Sequence, residues 1–500
     1  FISFIRIMEE NFKVSTTIFQ KKHFMILLLL IVILGTFLRF HELSEESIWV
    51  DEAFTYDYIQ MDLSELVETL RVEVHPIGFY LLHHYWNGIL GFSEMALRFL
   101  PFIFGSLSII VLFFLVRQLY DRRVALLSTL FFSLSYTFVM YSQEAKMYAQ
   151  FILFFLLSIL FFVRFLQKAK FNSNLIGLTL FNILMLHTHF LSFVVIFLEI
   201  VIYYFFYLLK KGQKIDLFKA LFKKNAKYDL SKFNLFLVIL FLSYVPWLQI
   251  FYTQIQHLVF YQFPLKFNEK LGLDGFYYFF ILAILIMFAG LYYLYYLTKN
   301  KSSLQKLQGL FGKFKLKNSY FVLIFLGWIV VNLIFHQHFF NNLFYIRYLL
   351  FIFPLAYVFF AKRLLKLKKV SMIILLIVYL IASSFILFQY YEIDGKEQWR
   401  EAAEYIEQDA GVNDILLFHR SGHPWWAFNY YYSGNLEQVR MDMDEDIWML
   451  QKAEGHEHAY LILSHNYRTK ELFKEEMDER YKLINTLELN GIKLYKYEVG

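Results

Sequence analysis

Long apolar runs alternate with short charged stretches along most of this chain. Crossing about 30 Å of hydrocarbon takes about 20 helical residues. Runs of that kind lie at 24–40, 99–119, 124–141, 150–166, 174–190, 191–209, 234–250, 274–297, 320–337, 343–360 and 370–389. They predict about eleven transmembrane helices. The stretch 24–38 also resembles a secretion-signal core, but no small-residue cleavage site follows, so a retained membrane helix is expected. The first methionine is Met8, which leaves the true start residue open.

Charge orients the spans. Basic clusters occur at Lys21-Lys22, Arg117/Arg122/Arg123, Arg164/Lys168/Lys170, Lys210 to Lys232, Lys299 to Lys317 and Lys362 to Lys369. The positive-inside rule assigns all of them, with the N-terminus, to the cytoplasm. The intervening loops then face outward. One of them, 41–98, is rich in acids, among them Glu42, Glu45, Glu46, Asp51, Glu52, Asp57 and Glu73. Reading Pro76 to Trp86 as another span would invert every later loop. It is therefore expected to lie along the outer interface, with 63–71 as a second such helix.

Beyond Gln389 the pattern changes. Residues 391–500 are mixed and charged, with a helix expected at 398–408 and strands at 415–418 and 460–464. The pattern Leu487 to Leu494 around Asn490-Gly491 signals a hairpin. The expected fold is mainly α. A polytopic membrane domain, residues 1–390 with the long outer loop 41–98, precedes a small extracytoplasmic α/β domain, 391–500.

Composition agrees: 58% hydrophobic and 21% aromatic content exceeds what a soluble domain of 500 residues can bury. The net charge of +6 resides in the cytoplasmic clusters rather than on a soluble face, so nucleic-acid binding is not expected. Zero cysteines exclude disulfides, thiolate metal sites and cysteine nucleophiles.

The candidate chemistry falls on the outer side. Asp51-Glu52 follows Trp49, an interfacial anchor that sets two carboxylates at headgroup level. A solvated loop pair is the plain alternative. His75-Pro76 opens the first interfacial helix, where the proline suits a first turn. Glu144 and Lys146, within Tyr141 to Tyr148, are costly so near hydrocarbon and, two residues apart, point in different directions on a helix. His187 and His189 close the fifth span and ligate one metal only if the backbone breaks there. Arg347-Tyr348 opens the tenth span, where the arginine either snorkels or meets phosphate. His423 to Trp426 reads as a loop platform. Carboxylates for a base or metal and cations for phosphate suit transfer from a phosphate-linked, membrane-embedded donor.

Several segments, in this order, resemble the integral-membrane glycosyltransferases of the C-type fold. The similarity is to the bacterial branch related to dolichyl-phosphate-mannose protein mannosyltransferases and the lipid A aminoarabinose transferase. They are Trp49 to Ala53, His75 to Tyr80, Arg98 to Pro101, Tyr141 to Tyr148, Arg347-Tyr348 and Trp399-Arg400. The resemblance implies Asp51 as general base, with Glu52 as its catalytic neighbour or a metal ligand, and Glu144 as the second-loop acid. It implies Arg347 as phosphate ligand, with His75, Lys146, Tyr148 and Tyr348 as further substrate contacts. His75 stands where the aminoarabinose enzymes have a lysine. Some relatives use a divalent metal. Here metal dependence stays open, with Glu52, His187 and His189 as candidate ligands.

The expected activity is inverting transfer of a sugar from a polyprenyl-phosphate donor to a lipid, glycan or protein acceptor, at the outer face of the inner membrane. The alternative is a polytopic transporter or lipid flippase. That reading calls for charges near the midplane and repeated halves, and the sequence shows neither.

Overall fold

The computed structural model describes residues 18–73, 75–167, 173–212, 230–262, 350–393, 395–419, 424–441, 444–464 and 470–500. The spans expected at 274–297 and 320–337, the start of 343–360, and Arg347, Tyr348 and His423 lie outside the described residues.

The apolar runs fold as helices. Helix α1 is Ile18–Phe40, and the acidic loop behind it carries three short helices: α2 (Val50–Gln60), α3 (Leu63–Thr69) and α4 (Gly78–Leu90). There follow α5 (Glu94–Leu119), α6 (Arg122–Ser133), α7 (Tyr136–Met140), α8 (Tyr148–Gln167), α9 (Ser173–Leu186), α10 (Leu191–Gly212), α11 (Leu230–Tyr244) and α12 (Leu248–Gln262). Helices α13 (Phe353–Leu364) and α14 (Lys369–Glu392) close the apolar part. Among the described residues, His23–Phe40, Glu94–Leu119, Tyr148–Gln167, Ser231–Gln254 and Lys369–Glu392 are long and apolar enough to cross a membrane. The protein is thus polytopic. Among these five, α8 is the most buried, and it packs between α5 and α9.

Two of the loop helices, α3 and α4, fall where interfacial helices are expected. Asp62 starts α3 by accepting from the Ser64 and Glu65 amides at 2.9 Å each. Helix α2 differs from expectation, because Asp51-Glu52 was read as loop. The acids occupy its first turn, where the partial positive charge of the helix N-terminus favours them. Val50, Glu52, Ala53, Thr55, Tyr58 and Ile59 are all buried, so the helix is enclosed around its circumference rather than on one face. At the apolar end of the same loop, Arg39 is fully buried and donates to the carbonyls of Phe132 (3.3 Å) and Ser133 (3.2 Å). These are the last carbonyls of α6, which lack intrahelical donors.

The remaining chain forms a five-stranded sheet with helices. Its elements are α15 (Trp399–Asp409), β1 (Ile415–His419), α16 (Pro424–Tyr431), β2 (Glu437–Met441), β3 (His458–Ser464), α17 (Lys470–Arg480), β4 (Lys482–Leu489) and β5 (Ile492–Glu498). The order is β2-β1-β3-β5-β4, with β2, β1 and β3 parallel and β5 antiparallel to both neighbours. Gly491, at φ 73°, makes the expected hairpin turn. The stretch expected as a loop platform is instead α16, opened by Pro424, whose missing amide costs nothing at a first helical position.

This sheet sits on the end of the membrane helices that carries α2. The Tyr431 hydroxyl accepts from the Ile48 amide at 2.7 Å, and Tyr430 donates to the Phe92 carbonyl at 2.8 Å. Trp426 packs on Phe54 and Tyr430 on Tyr56, both with ring centres 4.6 Å apart. At the opposite end Lys362 lies over Tyr120 and Arg122 over Phe24.

Candidate functional site

The site begins at the first turn of α2. Glu52 is completely buried, and both its oxygens are engaged. Oε1 accepts from Arg98 Nε and from the Ala145 amide, each at 2.9 Å. Oε2 accepts from Arg98 Nη2 at 2.7 Å and Lys396 Nζ at 3.1 Å. Burial alone would raise this carboxyl. The Arg98 guanidinium and the Lys396 ammonium outweigh it and hold the group at about 2. Arg98 also donates to the carbonyls of Leu43, Glu46 and Ser47, so one guanidinium clamps the chain leading into α2.

Asp51 is half-buried, and its charge acts on the hydroxyl of Tyr80 together with those of Glu73, Tyr58 and Tyr148. Burial first, then Glu73, pushes Tyr80 well above the ordinary tyrosine value, so it remains an O–H donor. Tyr58 donates to Glu73 Oε1 at 2.5 Å. Behind these groups the His189 ring lies 6.2 Å from that of Tyr148 and 5.9 Å from that of His75. The start of α4 reaches this cluster because the Gly78 amide donates to the His187 carbonyl at 2.7 Å. A Cβ on Gly78 would lie 2.5 Å from that oxygen, so the approach requires glycine. Gln254 of α12 donates to the carbonyls of Leu70 (2.7 Å) and His75 (3.0 Å), fixing the loop from the other side.

The second loop, 141–147, is buried beneath α2. Thr55 Oγ1 donates to the Ala145 carbonyl at 2.9 Å, so Ala145 is bonded to α2 through both its amide and its carbonyl. Its neighbours diverge. Glu144 acts on Tyr136 and Tyr390, whereas Lys146 lies near His83 and pairs with no carboxylate among the described residues. Burial, and then Lys146, lowers His83 to about 3, which leaves it neutral at ordinary pH.

Of the residues singled out in the sequence, Asp51, His75, Tyr148 and His189 therefore line one neighbourhood, linked through Tyr80. Glu144 and Lys146 belong to the second loop, whose Ala145 is bonded to α2. Glu52 is an anchor whose oxygens are already committed. His187 turns away, its Nε2 3.2 Å from the Ser243 carbonyl, and His189 Nδ1 accepts from the Leu191 amide. The expected metal set of Glu52, His187 and His189 does not assemble. Among the described residues the carboxylate and imidazole atoms that cluster within 4.8 Å are those of Asp414, Glu457 and His458, in the terminal sheet. Sequence reasoning missed Tyr58, Glu73, Tyr80 and Lys396 as neighbours of the site, and gave Arg98 no role in it. An arginine opening a span opposite an acidic pair was a usable signal for Arg98. A single lysine in the linker was none.

Comparison with known proteins bears on this arrangement. Residues 74–252 match the family described as dolichyl-phosphate-mannose-protein mannosyltransferase. In fold, the chain is similar to apo ArnT from Cupriavidus metallidurans, with TM-score 0.54 and 9% identity over 95% of this chain and 98% of that one. The same enzyme bound to undecaprenyl phosphate gives TM-score 0.52 and 10% identity over 94% and 97% of the two chains. The Archaeoglobus fulgidus oligosaccharyltransferase, in complex with Zn and sulfate, gives 0.52 and 13% over 95% and 73%. None of the curated proteins matches the chain. Residues 74–252 thus resemble that mannosyltransferase family, and the chain shares its fold with ArnT and the archaeal oligosaccharyltransferase.

Proposed function

We propose that this protein moves a sugar from a polyprenyl-phosphate donor onto a lipid, glycan or protein acceptor, at the outer face of the inner membrane. The terminal α/β domain is then extracytoplasmic and the N-terminus cytoplasmic. Asp51 removes the acceptor's proton as the acceptor attacks the anomeric carbon in one inverting displacement. Lys146 and His75, with Arg347, Tyr348 and Tyr148, stabilise the departing phosphate. Glu144 shapes the second loop around the donor.

The observation that carries the reading is the division of labour within one helical turn. Glu52 is saturated by Arg98, Ala145 and Lys396, while its neighbour Asp51 is half-buried beside Tyr80. On this reading one carboxylate fixes the helix and its neighbour serves as the base. The relatives' ligands suit the donor class: undecaprenyl phosphate on ArnT, and a dolichol-phosphate with an inhibitory peptide on the archaeal oligosaccharyltransferase AglB. No step here is routed through a metal, because the oxygens of Glu52 are committed to Arg98, Ala145 and Lys396 and His187 is turned toward Ser243.

The test is a deletion strain whose envelope glycolipids and glycoproteins are compared by mass spectrometry, with wild type or Asp51→Asn supplied in trans. Wild type should restore a missing product. A membrane-inserted Asp51→Asn should make it about 10²- to 10⁴-fold more slowly, the usual worth of a general base. Transfer by Asp51→Asn at the wild-type rate would remove Asp51 from the mechanism.

A further inference from the structure

We infer that Lys396, in the segment joining the last membrane helix to the terminal domain, is a positioning residue for Asp51, so that the terminal domain completes the catalytic centre rather than standing apart from it. The inference rests on the reading of Asp51 as base.

Arg98 alone neutralises Glu52, since its fork meets both carboxylate oxygens. A second cation on the same buried group exceeds what charge balance needs, and Lys396 supplies it at 3.1 Å from Oε2. The excess is offset by Glu46, whose Oε2 lies 3.9 Å from the same ammonium. Lys396 also reaches the Gln143 carbonyl at 3.4 Å. One side chain from the linker thus touches the first outer loop at two acids and the second outer loop at its backbone.

The adjoining residues repeat the pattern. The Gly395 amide donates to Glu46 Oε1 at 2.8 Å, and Arg400 donates to the Glu45 and Ser44 carbonyls. Ser47 accepts from the Arg400 amide at 3.2 Å and donates to Glu401 at 3.0 Å. Residues 44–52 are therefore held from two sides: by Arg98 within the membrane part and by residues 395–401 from outside it. Asp51 lies inside the held segment. Removing Lys396 leaves the Glu52–Arg98 pair intact, so the fold survives while the first turn of α2 loses its outer support.

The experiment uses the full chain in detergent, with single-turnover transfer, undecaprenyl phosphate binding and thermal stability measured side by side. Lys396→Met should lower kcat about ten- to a hundredfold, as sub-ångström to 1 Å misplacement does. Undecaprenyl phosphate affinity should stay within about twofold of wild type, because on this account nothing that holds the phosphate has been removed. Lys396→Arg should recover most of the rate. Glu46→Gln, which removes the outer partner without stranding a buried charge, should lower kcat in the same direction by a smaller factor. Wild-type kcat in a folded Lys396→Met would overturn the inference, as would a loss that Lys396→Arg fails to restore or that tracks weakened phosphate binding. If Lys396→Met does not fold, wild-type kcat in Glu46→Gln overturns it. Asp51→Asn in the same assay keeps the two ideas apart: full activity there would sink the base, whereas a dead Asp51→Asn beside an unimpaired Lys396→Met would sink only the positioning role.

Discussion

The pairing of Glu52 with Arg98 makes a quantitative prediction about stability. Both side chains are essentially inaccessible to solvent, at 0% and 1% exposure, so neither lone charge can turn to water. Removing one member of such a pair costs about 3–5 kcal/mol, because the survivor is left uncompensated. Arg98→Met should fall at the lower end, since Glu52 keeps Lys396 and the Ala145 amide. Glu52→Leu should fall at the upper end, because it leaves the guanidinium with three carbonyls and no carboxylate. The double variant Glu52→Leu/Arg98→Met carries neither stranded charge, and Lys396 retains Glu46 at 3.9 Å. It should be at least about 2 kcal/mol more stable than the sum of the singles, within the range measured for directly coupled residues. The assay is unfolding by SDS titrated into detergent micelles at pH 7, followed by tryptophan fluorescence, for all four proteins. Additive single effects, agreeing within about 0.5 kcal/mol, would show that the two groups do not depend on each other and refute the reasoning.

Two further predictions follow from the same geometry. Glu52 is held below its ordinary value of 4.5, at about 2, so its contribution is present at pH above about 5 and is lost as pH falls through that interval. The drop is worth about 3 kcal/mol. On acidification from pH 5 to 3 the wild type should lose more SDS resistance than the double variant, and parallel losses would contradict the assignment. Gly78→Ala places a methyl 2.5 Å from the His187 carbonyl and must push α4 away from the turn. Overpacking of this kind costs about 1–3 kcal/mol. Because His75 moves with α4, KM for the polyprenyl-phosphate donor should rise more than kcat falls; an unchanged KM would dissociate His75 from donor binding.

Much of the architecture was legible from periodicity and charge. Helices α3 and α4, the terminal hairpin at Gly491 and the helix after Gln398 all obey local rules that the sequence displays. The proximity of Asp51, His75, Tyr148 and His189 was legible, because each falls near a helix end on the same side. What stayed hidden was the partition between Asp51 and Glu52. Two adjacent acids look equivalent in a string, and only the approach of Arg98, Ala145 and Lys396 from separate segments distinguishes them. Helix α2 was missed for a related reason. Its polar residues Glu52 and Thr55 are buried by partners distant in sequence, so its pattern does not read as amphipathic. The supposed metal ligands failed because the backbone turn at 187–190 aims His187 toward Ser243, a direction that spacing cannot reveal.

The bond between Glu52 and Lys396 spans 344 positions of the chain. At a synthesis rate of about 5–20 residues per second, roughly 20 s to a minute separates the emergence of the two partners from the ribosome. Once Arg98 and Ala145 have been made, Glu52 has those two partners but still lacks Lys396. On the proposed reading of Asp51, this turn gains its outer support only once Lys396 has been made, so a product truncated before that lysine is expected to insert without transferring sugar.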